Sequence, residues 1–204
     1  IYLYYAANQG GLGMDKALAG GIVGAYGGSV YLSTILGAWL ADRIWGAERT
    51  LFIAGIVVMI GHILLAIVPG LMGLLLGLVF IALGSGGVKS SAGSMVGSLY
   101  ERDDLRELRD AGFSIFYISI NIGGFLGPLL TGILQDRMGF HYGFGAAAVG
   151  MAFGLMWYSR GRKNLPHTPA PNPLRPEKVQ TAIAVGVLLV LVLGSVIASG
   201  ALNL

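Results

Sequence analysis

The chain has 204 residues, 55% of them hydrophobic and only 11% charged, with a formal net charge of +3. A water-soluble domain carries roughly 25% charged residues, so these few charges cannot cover a water-facing surface, and the chain is read as an all-α membrane protein. The absence of cysteine excludes disulfides, thiolate metal sites and cysteine nucleophiles, and the basic residues flank apolar spans, where orientation signals belong, rather than forming a nucleic-acid surface.

The sequence opens inside an apolar aromatic run, Ile1–Tyr5, which reads as the tail of a helix that begins before Ile1. A bilayer crossing takes about 20 apolar residues. Five stretches of that character follow, at roughly Leu18–Ala41, Thr50–Val68, Leu71–Tyr100, Gly112–Leu134 and Tyr142–Ser159. A further apolar stretch, Val179–Leu202, comes after a segment rich in proline: Pro166, Pro169, Pro171, Pro173 and Pro176. Proline holds such a segment extended and stiff.

The connections alternate in charge. Asp42–Arg49 carries Arg43 and Arg49; Glu101–Asp110 carries Arg102, Arg106 and Arg109; Arg160–Lys178 carries Arg160, Arg162, Lys163, Arg175 and Lys178. The connections between these are a tight Pro69–Gly70 turn and Gln135–Tyr142, whose one basic residue is Arg137. The positive-inside rule assigns the basic set to the cytoplasm. The expected organisation is an N-terminal transmembrane bundle over residues 1–164, a cytoplasmic linker over 165–178 and an additional hydrophobic helix over 179–204.

Polar residues inside the spans mark a candidate site. Lys89 lies about eleven residues before the cytoplasmic end of its span. At 1.5 Å per residue that is about 16 Å deep, near the middle of a core about 30 Å thick. A charge there costs about 2.5–3.5 kcal/mol on insertion scales, so the residue is expected to face a cavity or a carboxylate. Tyr31 and Asn121 each lie about ten residues from the cytoplasmic ends of their own spans, so three polar groups on three helices share one depth. Tyr117 precedes Asn121 by one helical turn and lies on the same face.

The surrounding segment, Gly84–Ser91, reads GSGGVKSS. It is not a phosphate loop, because Val88 stands where a glycine must precede the lysine. Its small residues are expected to thin the helix and let neighbours approach. His62 is read as a hydrogen-bonded packing residue, with a proton relay as the alternative. No metal-ligand spacing and no nucleophile–base arrangement is visible, so neither metal site nor enzyme is expected.

Several motifs resemble those of a known family. Gly37–Arg49, GAWLADRIWGAER, resembles the loop motif between the second and third helices of major-facilitator transporters. The resemblance implies that Asp42 and Arg43 contribute to a charge network holding one conformation. Phe116–Gly123, FYISINIG, resembles the fifth-helix signature of the proton-dependent oligopeptide transporter family. Lys89 in GSGGVKSS is similar to that family's fourth-helix lysine, Tyr31 to its second-helix tyrosine, and GGLGM at Gly10–Met14 to its first external loop.

The resemblance implies a major-facilitator-type N-terminal six-helix bundle with its first helix truncated. It also implies proton-coupled symport of di- and tripeptides by alternating access. Lys89 would attract the peptide carboxylate or pair with acidic groups on the first helix, and Tyr31, Tyr117 and Asn121 would hydrogen-bond the peptide backbone. The implied partners are small peptides, the lipid bilayer and the C-terminal half of the same transporter, with the proton as coupling ion and no cofactor, in a bacterial cell membrane. The family's ExxER segment would lie before Ile1, and Gly124 stands where the family often has serine. Val179–Leu202 is read either as the first helix of the hairpin that many bacterial members insert or as the start of the second half; it lacks the acidic residue often found on the seventh core helix, which favours the hairpin. The alternatives are a same-fold carrier of nitrate or another organic anion, and a non-transporting structural subunit.

Overall fold

The computed structural model describes residues 1–166, 168–175 and 177–181, together with Ala184 and Gly186. Most of Val179–Leu202, expected as a further helix, lies outside the described residues, as do His167 and Pro176. Long helices dominate: α1 (Lys16–Leu40), α2 (Gly46–Ile67), α3 (Gly70–Leu99), α4 (Arg109–Met138) and α5 (Phe140–Gly161). Among the described residues there is no strand.

Local chemistry explains the boundaries. Asp15 caps α1, its Oδ1 accepting from the Ala17 N–H at 2.8 Å, in the manner of an N-cap carboxylate. Before Pro69 the chain turns extended at Val68 (φ −98°, ψ 112°), because the proline ring disfavours helical backbone in the preceding residue. Gly139, at φ +102°, breaks α4 from α5 in a conformation that glycine adopts without a Cβ clash. Between α1 and α2 the helix widens into a π-helical turn, Ala41–Trp45. Gly46 then takes φ 76°, and the chain bends into α2.

Three helical stretches are long and apolar enough to cross a membrane: Lys16–Ile67, which the π-turn divides into α1 and α2, Gly70–Leu99, and Arg106–Met138. The fifth, α5, forms over the expected range, but its glycine- and alanine-rich sequence is not among those three.

α3 is the central element, with α1 on one side and α2 on the other; α5 packs on α2, and α4 on α5. Glycines set the spacing. A Cβ on Gly37 would lie 2.6 Å from the Gly87 Cα, and one on Gly86 would lie 2.2 Å from the Ser33 carbonyl carbon, so α1 and α3 touch backbone to backbone. On the other side of α3, a Cβ on Gly84 would meet the Ala54 carbonyl oxygen at 2.6 Å. Small residues allow such approach in membrane helices, where van der Waals packing replaces the hydrophobic drive.

The end opposite the arginine-rich connections is closed by the opening run. Ile1–Tyr5 forms a hydrogen-bonded turn, with the Tyr5 N–H donating to the Ile1 carbonyl at 3.0 Å. Leu3 joins Ala19, Leu65, Leu74 and Ile81 in one buried cluster. The Tyr2 ring packs against Phe140 and Phe144, at 5.0 and 5.5 Å between centroids.

Candidate functional site

Of the residues singled out by depth, the structure brings Lys89 and Tyr31 together. The Lys89 Nζ stands over the Tyr31 ring, 4.8 Å from its centroid, within the reach of a cation–π attraction. The contact follows from the helix crossing. Gly86 of α3 meets Ser33 of α1, so the residues flanking the crossing, Lys89 and Tyr31, project beside one another. Among the described residues no carboxylate lies within ion-pair distance of Lys89. The lysine is thus oriented by an aromatic face and keeps its hydrogen-bond donors available.

Tyr117 and Asn121 form a second group on α4. The Asn121 Nδ2 donates to the Tyr117 carbonyl at 2.7 Å, a bond within one helix turn that leaves the side-chain carbonyl oxygen free to accept. The Tyr117 ring packs beside Phe116 and Phe113, at 5.6 and 6.4 Å. No hydrogen bond or ion pair among the described residues joins this group to the Lys89–Tyr31 pair. All four side chains are exposed, Tyr31 by 72%, so they stand on open helix faces. The sequence placed Lys89, Tyr31 and Asn121 at one depth, with Tyr117 on the face of Asn121; the structure arranges the four as two pairs.

Asp42 and Arg43, the expected members of a charge network, both lie in the π-turn. Both are exposed, and among the described residues neither side chain makes an ion pair. Arg43 Nη1 donates to the Asn172 carbonyl at 3.4 Å. One ion pair at this end joins Glu48, in the first turn of α2, to Arg162, just beyond α5. Arg162 Nε donates to Glu48 Oε1, and Nη2 to Oε2 at 3.2 Å. Glu48 is 9% exposed, and a carboxylate there also faces the positive end of the α2 dipole.

The Arg162 guanidinium lies 4.9 Å from the centre of the Phe52 ring, which in turn stacks on Tyr158 at 6.1 Å. The hydrogen bond that Arg162 donates to the Glu48 carboxylate is the largest influence on the guanidinium and raises its pKa further. Sequence reasoning missed this clasp. Its signal was present in Glu48, which belongs to GAWLADRIWGAER, but the partner stands 114 residues away, and nothing local identifies it.

His62 does not show the hydrogen bond expected of a packing histidine: its buried Nδ1 has no partner among the described residues. The same holds for the hydroxyl of Ser91, which is fully buried. Two clefts lie at the arginine-rich end. One of about 580 Å³ is lined by Tyr100, Glu101, Arg106 and Arg109. The other, of about 440 Å³, lies between α1 and α3, with Asp42, Ser94 and Pro169 among its walls. Neither includes Lys89 or Asn121. Among the described residues no group of three or more His, Cys, Asp or Glu side chains is placed to hold a metal ion.

Comparison with known proteins gives this arrangement a context. Residues 48–200 match the PTR2 profile, which describes the POT family. The chain is 45% identical over 201 residues to the uncharacterized transporter YclF of Bacillus subtilis, covering 97% of this chain and 40% of that protein. It is 47% identical over 167 residues to a di-/tripeptide transporter of Lactococcus lactis, covering 79% of this chain and 33% of that one. Its fold is similar to a crystal structure of a peptide transporter, POT, in complex with sulfate, with a TM-score of 0.87 and 43% identity over 98% of this chain and 42% of that one. The chain therefore spans about two fifths or less of the length of these relatives.

Proposed function

This chain belongs to the POT family of membrane transporters, and from that premise we propose that the full-length protein carries di- and tripeptides across the bacterial cell membrane in symport with protons, by alternating access. This chain supplies one wall of the central site. The observation that carries the reading is the Lys89 ammonium, held over the Tyr31 ring at 4.8 Å with no carboxylate beside it among the described residues. A cation oriented by an aromatic face keeps its attraction for an incoming carboxylate, whereas one already in an ion pair would have to exchange partners. The free side-chain carbonyl of Asn121 and the Tyr117 hydroxyl add neutral hydrogen-bonding groups suited to a peptide backbone, which every peptide shares. The name of the Lactococcus relative, a di-/tripeptide transporter, supports the same substrate class.

In this reading the arginine-rich connections, with the proline-rich linker, face the cytoplasm, and Asp42 and Arg43 bias the conformational change there. No carboxylate lies mid-span in this chain, so a carboxylate that binds the coupling proton belongs to other parts of the full-length protein. The chain acts in transport rather than catalysis.

The test is proton-driven uptake of a labelled dipeptide by the full-length protein in vesicles. Lys89→Ala abolishes concentrative uptake, and Asn121→Ala weakens dipeptide affinity about fivefold, the value of one neutral hydrogen bond. Near-normal concentrative uptake by Lys89→Ala overturns the assigned role, and unchanged affinity in Asn121→Ala makes that residue a packing group. A lone lysine would also suit a small inorganic anion. Nitrate uptake that excess dipeptide fails to inhibit would transfer the site to that substrate.

A further inference from the structure

The segment between α5 and the last described residues does not run free of the bundle. Residues 168–174 lie along the α1–α2 turn and meet its backbone at several points. We propose that this segment is a latch that caps both helices of the turn in trans, so that the turn holds its shape only while the latch is docked. The inference does not depend on which solute is carried.

The last carbonyls of a helix and its first N–H groups have no partner within the helix. At the end of the π-turn, the carbonyls of Asp42 and Arg43 accept from the Asn172 and Leu174 N–H groups, at 3.0 and 2.9 Å. At the start of α2, the preceding Trp45 offers no side-chain cap. The Glu48 N–H donates instead to the Thr168 hydroxyl at 3.1 Å. Glu48 is the third residue of α2, the position whose N–H normally bonds a Ser or Thr side chain at the N-cap. Thr168 supplies that cap from 120 residues away.

The sequence of the latch suits this task. Pro169, Pro171 and Pro173 carry no N–H and each fixes its own φ, so docking orders few new torsions. The intervening Asn172 and Leu174 provide the donors. Gly46 permits the close approach, since a Cβ there would lie 1.9 Å from the Thr168 carbonyl oxygen. Glu48 is held twice by one connection, through its carboxylate to Arg162 and through its N–H to Thr168. Pro169 and Pro171 also wall the cleft between α1 and α3. Undocking therefore uncaps two helices and opens that cleft in one movement.

Amide hydrogen exchange of the full-length protein in lipid nanodiscs tests the coupling. Thr168→Val removes the acceptor while keeping the side-chain shape. It raises exchange about fivefold at Glu48, the loss typical of an N-cap, and raises it together at Asn172 and Leu174. Thr168→Ser restores protection. Pro173→Gly leaves the turn untouched and loosens only the latch, and it raises exchange at Glu48 roughly threefold. An unchanged Glu48 amide in Pro173→Gly, or continued protection of Asn172 and Leu174 in Thr168→Val, overturns the proposal and leaves separate local contacts.

Discussion

Replacing Gly86 by alanine tests the claim that α1 and α3 cross in backbone contact. In an open helix interior this change is stabilising by about 1 kcal/mol, because alanine orders more cheaply than glycine. At Gly86 the added Cβ would stand 2.2 Å from both the carbonyl carbon and oxygen of Ser33. Carbon atoms rest about 3.5–4.0 Å apart, so the helices must separate by roughly 1 Å or more. The obstacle is helix backbone, which cannot rotate away as a side-chain tip can. The cost therefore falls at the upper end of the overpacking range, about 3 kcal/mol. Subtracting the propensity gain leaves about 2 kcal/mol of net destabilisation.

Gly93, two turns further along α3, is the control, since nothing lies within 4 Å of a Cβ there. Thermal unfolding of the purified full-length protein, followed by tryptophan fluorescence, reads both. Gly93→Ala holds or raises the midpoint, and Gly86→Ala lowers it. Equal midpoints for the two variants would refute the close crossing and, with it, the account of how Lys89 comes to lie beside Tyr31.

The Tyr31 ring and hydroxyl are separable: Tyr31→Phe keeps the face under Lys89 and loses only the hydroxyl, whereas Tyr31→Leu loses both. Peptide affinity, measured by competition, falls further in Tyr31→Leu by a factor of about two to five, the value of an exposed cation–π contact; equal affinities in the two variants would deny the ring a role. The Glu48–Arg162 clasp is tested by a double-mutant cycle with Glu48→Gln and Arg162→Met, read as unfolding stability. With Glu48 largely buried and Arg162 side chain 36% exposed, the coupling lies between surface and buried pairs, at about 1–2 kcal/mol. A coupling near zero would reduce the clasp to an incidental contact.

Much of the helical framework was legible in advance. The spans drawn from apolar run length match α1–α5 closely, because a run long enough to cross a membrane has few ways to satisfy its backbone except as helix. The break at Pro69 was also local, since proline itself sets the torsions around it, whereas the break at Gly139 is tighter than the Gln135–Tyr142 connection read from the sequence. The π-turn at Ala41–Trp45 was not legible. Its residues after Ala41 read as part of the Asp42–Arg49 connection, and its widening goes with contacts from residues 172 and 174, which no local pattern reveals.

The candidate site divides in the same way. Depth along a helix is a property of sequence distance, since each residue adds a fixed rise. Lys89, Tyr31 and Asn121 could therefore be set at one level, and Tyr117 on the face of Asn121, from position alone. Which of them touch is a matter of helix rotation and crossing, set by where glycines let backbones meet. Gly86 against Ser33 brought Lys89 to Tyr31 and left Tyr117 and Asn121 as a separate pair on α4. Charge followed the tertiary fold too. A basic connection marks one end of a bundle, but an ion pair requires two side chains at one point, and only the packing of α5 on α2 put Arg162 against Glu48. The sequence by itself thus determined that five long helices form, roughly where each lies along the chain, and how far along it its polar groups stand. Contacts between residues far apart in the chain decided the rest, because distance through space depends on packing that no single helix encodes.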